Sequence, residues 1–362
     1  MSSNIDANPS IQEEAQIRGT LIELRNRLYY RVKPWIPERI RFLARSAVAR
    51  WKLPSVKEHW PVSLGSEKPP LSWQGWPDGK EFALVLTHDV ESCRGVVRCR
   101  DLMRVEEDFG FRSSFNFIPE GQCDAYQRRP RRRCPSFPSS CQRRGSELER
   151  DASSDHPNPF RELRAELAAH GFEVGVHDLK HDGKLYSSRD HFRVAAEKIN
   201  RYLVDWGAQG FRSAFMLHNL EWLHDLEVLY DASTFDTDPF EPQPDGVNTI
   251  FPFIRRSKAT GAEYVELPYT LPQDSTLFLV LQEKTSRIWR EKLDWIAKHG
   301  GMALINVHPD YTCFTDPCRY NEYPVARYVE FLDYVKQHYA GRYYHCLPRQ
   351  MAELIRGRTQ PV

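Results

Sequence analysis

Several segments of the sequence place ionisable side chains where a short apolar run ends. One run ends in THDVE, with Asp89 and Glu91 two residues apart, and another ends in HDLKH, with His177 and His181 four residues apart. Two histidines and a carboxylate can bind one divalent ion and leave coordination positions open for water and substrate. Most HxxxH pairs bind nothing, so the pair alone is weak evidence.

Three further apolar runs carry such residues at or near their ends. Arg212 lies in GFRSA, Asp236 follows YDAST, and His308 ends MALINVH. The carboxyl ends of parallel strands meet at one rim of a barrel or sheet. Ionisable groups are costly at buried strand ends unless they are paired or bind metal. Together, the five runs therefore indicate one functional site.

The order of the segments between residues 82 and 347 is typical of an α/β domain. Short apolar runs, typical of buried strands, alternate with helical stretches, which is the order of a parallel sheet or barrel. The strands are predicted at 82–88, 113–118, 172–177, 210–214, 230–234, 263–269, 302–308 and 343–347. The helices are predicted at 96–108, 160–170, 189–206, 284–299 and 324–338.

The domain organisation follows from changes in composition. Residues 1–75 are predicted to be a basic helical extension and linker, 76–355 the catalytic domain, and 356–362 a tail. Within the domain, 121–159 is predicted to be a disordered insertion, because its eight arginines and many Ser and Pro leave little apolar surface to bury. Nucleic-acid binding by these arginines is a minor alternative, and no specific nucleic acid is expected as a partner.

Positive charge is concentrated near the N-terminus. The net charge of the chain is +1, but residues 18–52 contain ten Lys or Arg and two Glu. We predict one or two helices here, broken around Pro34 and Pro37, with an apolar stripe of Ile40, Leu43 and Ala47. Such an arm could contact an anionic membrane surface, a carrier phosphate or nucleic acid. A solvated helical arm is the simpler interpretation.

The targeting features of the sequence predict a cytoplasmic protein. Peripheral contact with a membrane through residues 18–52 is an alternative that stays open. No run of 18 apolar residues occurs, and the first residues are polar and acidic, unlike a secretory signal. The eight cysteines lack CxxC spacing, and free thiols are therefore expected.

The ordered set of motifs resembles the polysaccharide deacetylase family, the NodB-like carbohydrate esterases. THDVE resembles the first motif of that family, HDLKH its histidine pair, GFRSA its arginine motif and INVH its closing histidine motif. The resemblance covers about residues 80–350 outside the insertion. With the strand pattern, it implies a distorted (β/α) barrel of about seven to eight strands.

The resemblance also implies a role for each motif residue. Glu91, His177 and His181 would bind one divalent metal ion, most simply Zn, with Ni, Co, Mn or Fe as alternatives. Asp89 would be the catalytic base and His308 the general acid. The same resemblance makes Arg212 the residue that orients the base and Asp236 the aspartate that tunes the acid.

The sequence departs from the family pattern at three places. Glu91 stands where Asp is commoner, Ser213 and Ala214 replace the proline that usually follows the arginine, and His88 replaces a common Phe. The longer Glu91 leaves the metal identity open, and the loss of proline predicts a different groove wall. For His88 we expect a packing or supporting role.

The predicted function is metal-dependent hydrolysis of an N-acetyl or related acyl group on a saccharide, polymeric or lipid-linked, in bacterial polysaccharide metabolism. The class is hydrolases of non-peptide carbon–nitrogen bonds. Aromatic residues in TDPFEPQPDG and LPYTLPQD are predicted to contact the sugar. Two alternatives stay open: hydrolysis of a non-sugar amide or cyclic ureide, and glycan binding without turnover.

Overall fold

In a computed structural model of the chain, the structure describes residues 38–71, 73–120, 159–257, 259–315 and 318–359. The first half contains α1 (Glu38–Val56), β1 (Phe82–Val90), α2 (Cys93–Asp108), β2 (Ser114–Phe117), α3 (Pro159–Ala169), β3 (Glu173–His177), α4 (Arg189–Trp206), β4 (Gly210–Arg212) and β5 (Tyr230–Asp231). The second half contains β6 (Phe253–Arg256), β7 (Glu263–Glu266), a π-helix (Ser275–Val280), α5 (Arg287–His299), β8 (Met302–Asn306), β9 (Thr312–Cys313), β10 (Tyr323–Pro324), α6 (Ala326–Tyr339), β11 (Tyr343–His345) and α7 (Pro348–Thr359).

Nine of the described strands form one curved sheet. Its order is β11-β1-β2-β3-β4-β5-β7-β6, and β8 pairs with the other edge of β1. All ladders are parallel except β6–β7. Past β7, the N–H groups of Thr270 and Leu271 both donate to the Leu304 carbonyl at 3.1 Å. These bonds close the sheet without a regular ladder, which makes the barrel distorted and confirms the predicted fold class.

The apolar pattern explains why these segments form these elements. Every residue of β1 is buried, as expected for a central parallel strand that is covered on both faces. In α4 the buried residues recur at helical spacing, at Phe192, Ala195, Ala196, Ile199 and Leu203. Ser188 caps the start of α4 through its hydroxyl, and Gly207 ends it at φ 62°.

All eight predicted strands and all five predicted helices of the barrel are present, with small shifts at their ends. The sequence pattern does not predict β6, because this largely half-buried antiparallel edge strand with two arginines lacks the apolar run of the others. Nor does it predict α7, because this helix buries few apolar side chains, among them Met351, Ala352 and Ile355. Strand β6 brings the sheet to nine strands, one more than the upper predicted number.

The N-terminal basic segment is described only from Glu38 onwards. From there, α1 continues through Pro54 into the expected linker. The predicted break around Pro34 and Pro37 lies outside the described residues. The predicted insertion 121–159 lies outside the described residues apart from its last position. The division into extension, catalytic domain and tail stays a prediction, although α7 runs past residue 355 to Thr359.

Cysteine chemistry differs from the expectation at one position. Cys99, Cys313 and Cys346 are free thiols, as predicted. Cys93 is disulfide-bonded, so the expectation is wrong for this residue. Cysteine usage therefore gives no support to a reducing compartment. None of the helices in the described ranges combines the length and apolar character needed to cross a bilayer.

His88 has a structural environment on the helix side of β1. Its Nδ1 lies 2.9 Å from the Val307 carbonyl and its Nε2 lies 2.8 Å from Glu106 Oε1. The same Glu106 carboxylate accepts hydrogen bonds from Ser113 and Tyr328. All of these side chains are buried, so His88 completes a polar network between β1 and α2 rather than facing the catalytic edge.

We expect His88→Phe to lower the free energy of unfolding by about 3 kcal/mol, because it leaves a buried carboxylate short of a donor. The measurement is urea unfolding. His88→Phe combined with Glu106→Gln should lose less than the sum of the two single variants. Additive losses would show that the two side chains do not act as a pair.

Candidate active site

Asp89 lies at the carboxyl end of β1, where polar side chains from two neighbouring strands point at it. In the sheet register, Asp89 pairs with Asn116 of β2. Asn306 of β8 pairs with Thr87, two residues before Asp89 on β1. Asn116 Nδ2 donates to Asp89 Oδ1 at 3.0 Å, and Asn306 Nδ2 donates to Oδ2 at 2.8 Å. The buried carboxylate is therefore fixed by two amides.

Arg212 keeps this carboxylate ionised. Burial alone would raise the pKa of Asp89, but the charge of Arg212, followed by nearby histidines, lowers it to about 2. The guanidinium is itself fully buried: Nη1 lies 2.8 Å from Thr87 Oγ1 and 3.4 Å from Asp89 Oδ1, and Nε donates to the Ala232 carbonyl at 2.8 Å. Asp89 is thus held as a buried anion.

The turn after β3 fixes the orientation of His177. Asp178 adopts a left-handed φ of 57°, and its N–H donates to the Arg212 carbonyl at 2.8 Å. His177 Nδ1 lies 3.0 Å from the same carbonyl. A carbonyl only accepts, so Nδ1 carries the proton and Nε2 keeps its lone pair. Among the described residues, buried Nε2 has no hydrogen-bond partner.

Three side chains could hold a metal ion at this edge. One ligand atom each from Glu91, His177 and His181 lie within 4.8 Å of one another, and Glu91 Oε1 is 3.0 Å from His181 Nε2. A buried imidazole lone pair without a partner, next to a carboxylate and a second imidazole, fits a borderline divalent cation such as Zn²⁺. The donor set therefore fits the metal that the motifs imply.

Residues after β8 position the longer side chain of Glu91. Tyr311 donates its hydroxyl to Glu91 Oε2 at 2.7 Å, which leaves Oε1 facing His181. Asp310 accepts the Glu91 N–H at 2.8 Å and the Ser92 hydroxyl. These contacts fix the backbone and the carboxylate of Glu91 together.

His308 is paired with Asp274. Its backbone N–H donates to Asp274 Oδ2 at 2.8 Å and its Nδ1 donates to Oδ1 at 2.6 Å. Burial alone would lower the pKa of His308, but Asp274, and then Glu91 and Asp89, raise it to about 10. Nε2 points towards the metal ligands, 3.8 Å from Glu91 Oε1.

The prediction that Asp236 tunes His308 is wrong. The Asp236 carboxylate forms a buried ion pair with Lys292 of α5 at 2.5 Å, and burial raises its pKa to about 6. Asp274 lies beside His308 because the segment that follows β7 runs next to β8, and His308 comes just after β8. Asp236 instead follows β5. The other six predicted residues lie together at the carboxyl edge of the sheet.

Sequence reasoning missed four residues of this edge: Asn116, Asp274, Asn306 and Tyr311. Two of them left a signal, because each Asn interrupts an otherwise apolar strand, in SFNFI and LINVH. Gly175 of β3 leaves room for this side chain, since a Cβ there would lie 2.2 Å from Asn116 Oδ1. Asp274 caps the π-helix and Tyr311 lies in a turn, and because neither belongs to a predicted strand or helix, sequence spacing gives no contact for them.

The walls around the edge differ from the expectation for the loops. Phe215 has a left-handed φ of 57° where the family has proline nearby, and its ring centroid lies 4.1 Å from that of His181. Tyr269, by contrast, is buried and donates to Asp238, and Phe240 packs edge-on against Trp60. These two predicted sugar contacts therefore serve packing, and the half-buried Phe215 lies beside His181 at the edge.

We expect Tyr311→Phe to weaken metal binding about tenfold or more, because Glu91 loses the hydrogen bond that orients its carboxylate. The measurement is competition between the protein and a fluorescent chelator for zinc, repeated for cobalt. Tyr334→Phe, which removes a hydroxyl bonded to Asp294 on the helical side, is the matched control. Equal affinities for all three proteins would exclude this role of Tyr311.

Comparison with known proteins gives similarity in structure only. No family model and no curated protein matches the sequence. The chain is similar to a Mycobacterium smegmatis protein provisionally described as a polysaccharide deacetylase, with 18% identity, a TM-score of 0.52, and coverage of 81% of this chain and 99% of that one. At this identity, the similarity shows the fold alone.

Two further solved structures have TM-scores below 0.5, too low to carry an argument. They are a 4-α-glucanotransferase from Thermococcus litoralis (12% identity, TM-score 0.46, 76% of this chain and 40% of that one) and the peptidoglycan deacetylase PdaC from Bacillus subtilis (11%, 0.41, 78% and 95%). The similarity to the Mycobacterium smegmatis structure confirms the resemblance seen in the motifs at the level of the fold: this chain has a NodB-like barrel.

Proposed function

We propose that this protein is a metal-dependent hydrolase that removes an acetyl or related acyl group from the nitrogen of a saccharide. One observation carries the proposal. The ligand atoms of Glu91, His177 and His181 converge within 4.8 Å beside the buried Asp89 anion and the His308–Asp274 pair. A base, an acid and a metal-binding set at one edge are what amide hydrolysis requires.

Glu91, His177 and His181 would hold the ion, with Zn as the first candidate and Ni, Co, Mn or Fe as the others. When bound, such an ion polarises an acyl carbonyl and lowers the pKa of water towards about 7. Two of these side chains are already oriented by hydrogen bonds to other residues. His177 is locked in one tautomer by the Arg212 carbonyl, and Tyr311 holds one oxygen of Glu91 so that the other faces the histidines.

Asp89 acts as the base in this proposal. An ionised carboxylate has about four acceptor positions, and Asn116, Asn306 and Arg212 use three of them. The remaining position accepts a proton from the attacking water while the water oxygen bonds to the acyl carbon. Fixing by three donors also keeps the carboxylate from rotating away, so little reorganisation is needed during the reaction.

His308 acts as the acid. Its Nδ1 keeps its proton and donates it in a hydrogen bond to Asp274, and its Nε2 proton goes to the amide nitrogen while the carbon–nitrogen bond breaks. An amine leaves as a neutral molecule only if it gains this proton. The products are acetate and a free amino sugar, after which Asp89 loses its proton and His308 regains one.

The experiment that tests the proposal measures bound metal and acetate release together. We expect about one divalent ion per chain and acetate release from N-acetylated saccharides that stops after chelation. The saccharide panel is run beside small cyclic amides and ureides. Metal with hydrolysis of the cyclic substrates only would replace the sugar with a non-sugar amide, and metal with no hydrolysis would favour glycan binding without turnover.

Two variants separate the base from the metal ligands. Asp89→Asn should lower kcat by at least about a hundredfold and keep the metal, because an amide cannot take the proton. His177→Ala should lose metal and activity together. The control is His191→Ala, an exposed histidine on α4. Full activity of Asp89→Asn, or full metal occupancy of His177→Ala, would contradict the assignment of that residue.

A further inference from the structure

One face of α1 packs against the rim of the barrel. Ser46 and Ala49 are buried there, and the Ser46 hydroxyl donates to the Val280 carbonyl at the end of the π-helix. Phe42, Leu53 and Val56 pack against the main core on the same side. At about 100° per residue, these five positions lie on one helical face.

The opposite face of α1 is apolar and exposed. Its large side chains have exposed fractions of 55% for Ile40, 67% for Leu43, 61% for Val48 and 84% for Trp51. With the exposed Ala44 and Ala47, they recur at helical spacing over three turns. A continuous exposed apolar stripe of this kind marks an interaction surface, because single exposed apolar residues would be scattered.

Basic residues border this stripe on both sides. By helical spacing, Arg39 and Arg50 lie along one border, and Arg45 and Lys52 along the other. Arg39 lies over the Tyr320 ring at 4.7 Å, and Arg50 bonds the Gln282 side chain, so the partner in each of these two contacts is uncharged. Within α1, five residues are basic and Glu38 alone is acidic.

We propose that the exposed face of α1 binds the surface of an anionic lipid bilayer. Such a surface offers an apolar layer for Leu43, Val48 and Trp51 and anionic headgroups at the height of the bordering arginines. A tryptophan at the apolar–polar boundary and long basic side chains beside it are typical of helices that lie in this interface. An apolar protein groove would satisfy the stripe but not the two basic borders.

The position of α1 gives the docking a consequence for the proposed function, on which this step rests. Helix α1 contacts Val280, the last residue of the π-helix, and Gln282 just after it. That π-helix begins directly after Asp274, the partner of His308. Docking through α1 would hold the candidate site next to the membrane surface. The substrate class that this favours is a saccharide linked to a lipid rather than a free polymer.

The test is sedimentation of the full chain with vesicles of phosphatidylcholine, alone or mixed with phosphatidylserine. We expect binding to the anionic vesicles that weakens with salt. Leu43→Glu combined with Trp51→Glu should reduce this binding at least about tenfold, because both side chains would leave the apolar layer. The melting temperature should not change, since both side chains are exposed.

The matched control is Val194→Glu combined with Val204→Glu on α4, where two valines are 59% and 72% exposed. This control should bind vesicles as the unmodified chain does. Absence of vesicle binding by the unmodified chain, or equal binding by the α1 variant, would overturn the proposal. A dimer that the α1 variant converts to a monomer would show instead that a second copy covers the face.

His177→Ala separates this inference from the proposed function. It should bind vesicles fully, because docking needs neither metal nor turnover. In the metal-loaded enzyme, the α1 variant should lose hydrolysis of an N-acetylated glycolipid in anionic vesicles but keep that of a free N-acetylated saccharide. Equal loss on both substrates would refute the link between docking and substrate.

Discussion

Buried Arg212 joins four strands, through its guanidinium and its backbone carbonyl, at the edge that carries the candidate site. Its Nη1 contacts Thr87 and Asp89 of β1, and its Nε bonds the Ala232 carbonyl after β5. The backbone carbonyl of the same residue, at the end of β4, accepts from His177 Nδ1 and the Asp178 N–H after β3. One residue thus fixes the ionised state of Asp89 and the tautomer of His177, and its buried charge is compensated by the Asp89 carboxylate and two further oxygen acceptors.

Around that guanidinium, the site uses neutral amides to hold a charged base. Asn116 and Asn306 each donate to one oxygen of Asp89, and neither changes its charge. A second cationic side chain in their place would hold the carboxylate equally well but would repel a divalent ion nearby. The amides therefore orient the carboxylate while leaving the local charge negative, which favours a cation at Glu91, His177 and His181.

The side of the barrel formed by the loops after β5, β7 and β8 carries a second layer of buried acids. Asp274 pairs with His308 and Asp236 with Lys292, while Asp238 and Glu241 share the Tyr269 hydroxyl. Burial raises the pKa of Glu241 to about 8 and that of Asp238 to about 6, and the charge of Arg45 in α1 opposes both shifts. The N-terminal helix is therefore part of the electrostatic surroundings of the site, and its outer face extends this rim towards an anionic surface.

The sequence by itself determined the class of fold and the main features of the edge. Alternating apolar runs and helical stretches specify a parallel α/β barrel, because burial on both faces demands continuous apolar strands such as β1. Polar residues at the ends of those runs, at Asp89, His177, Arg212 and His308, could be assigned to one edge, because strand direction alone puts carboxyl ends together. The similarity to a solved structure provisionally described as a polysaccharide deacetylase confirms this fold and leaves the assigned roles as predictions.

The partners of these residues depend on tertiary contacts. Asp274 caps the π-helix and Tyr311 lies in a turn, and their contacts with the site depend on how the whole chain closes rather than on local spacing. For the same reason Asp236, which follows a predicted strand as expected, faces Lys292 and not His308. The two faces of α1 are a similar case, because the stripe of Ile40, Leu43 and Ala47 is visible in the sequence, but only packing shows that the barrel takes the other face.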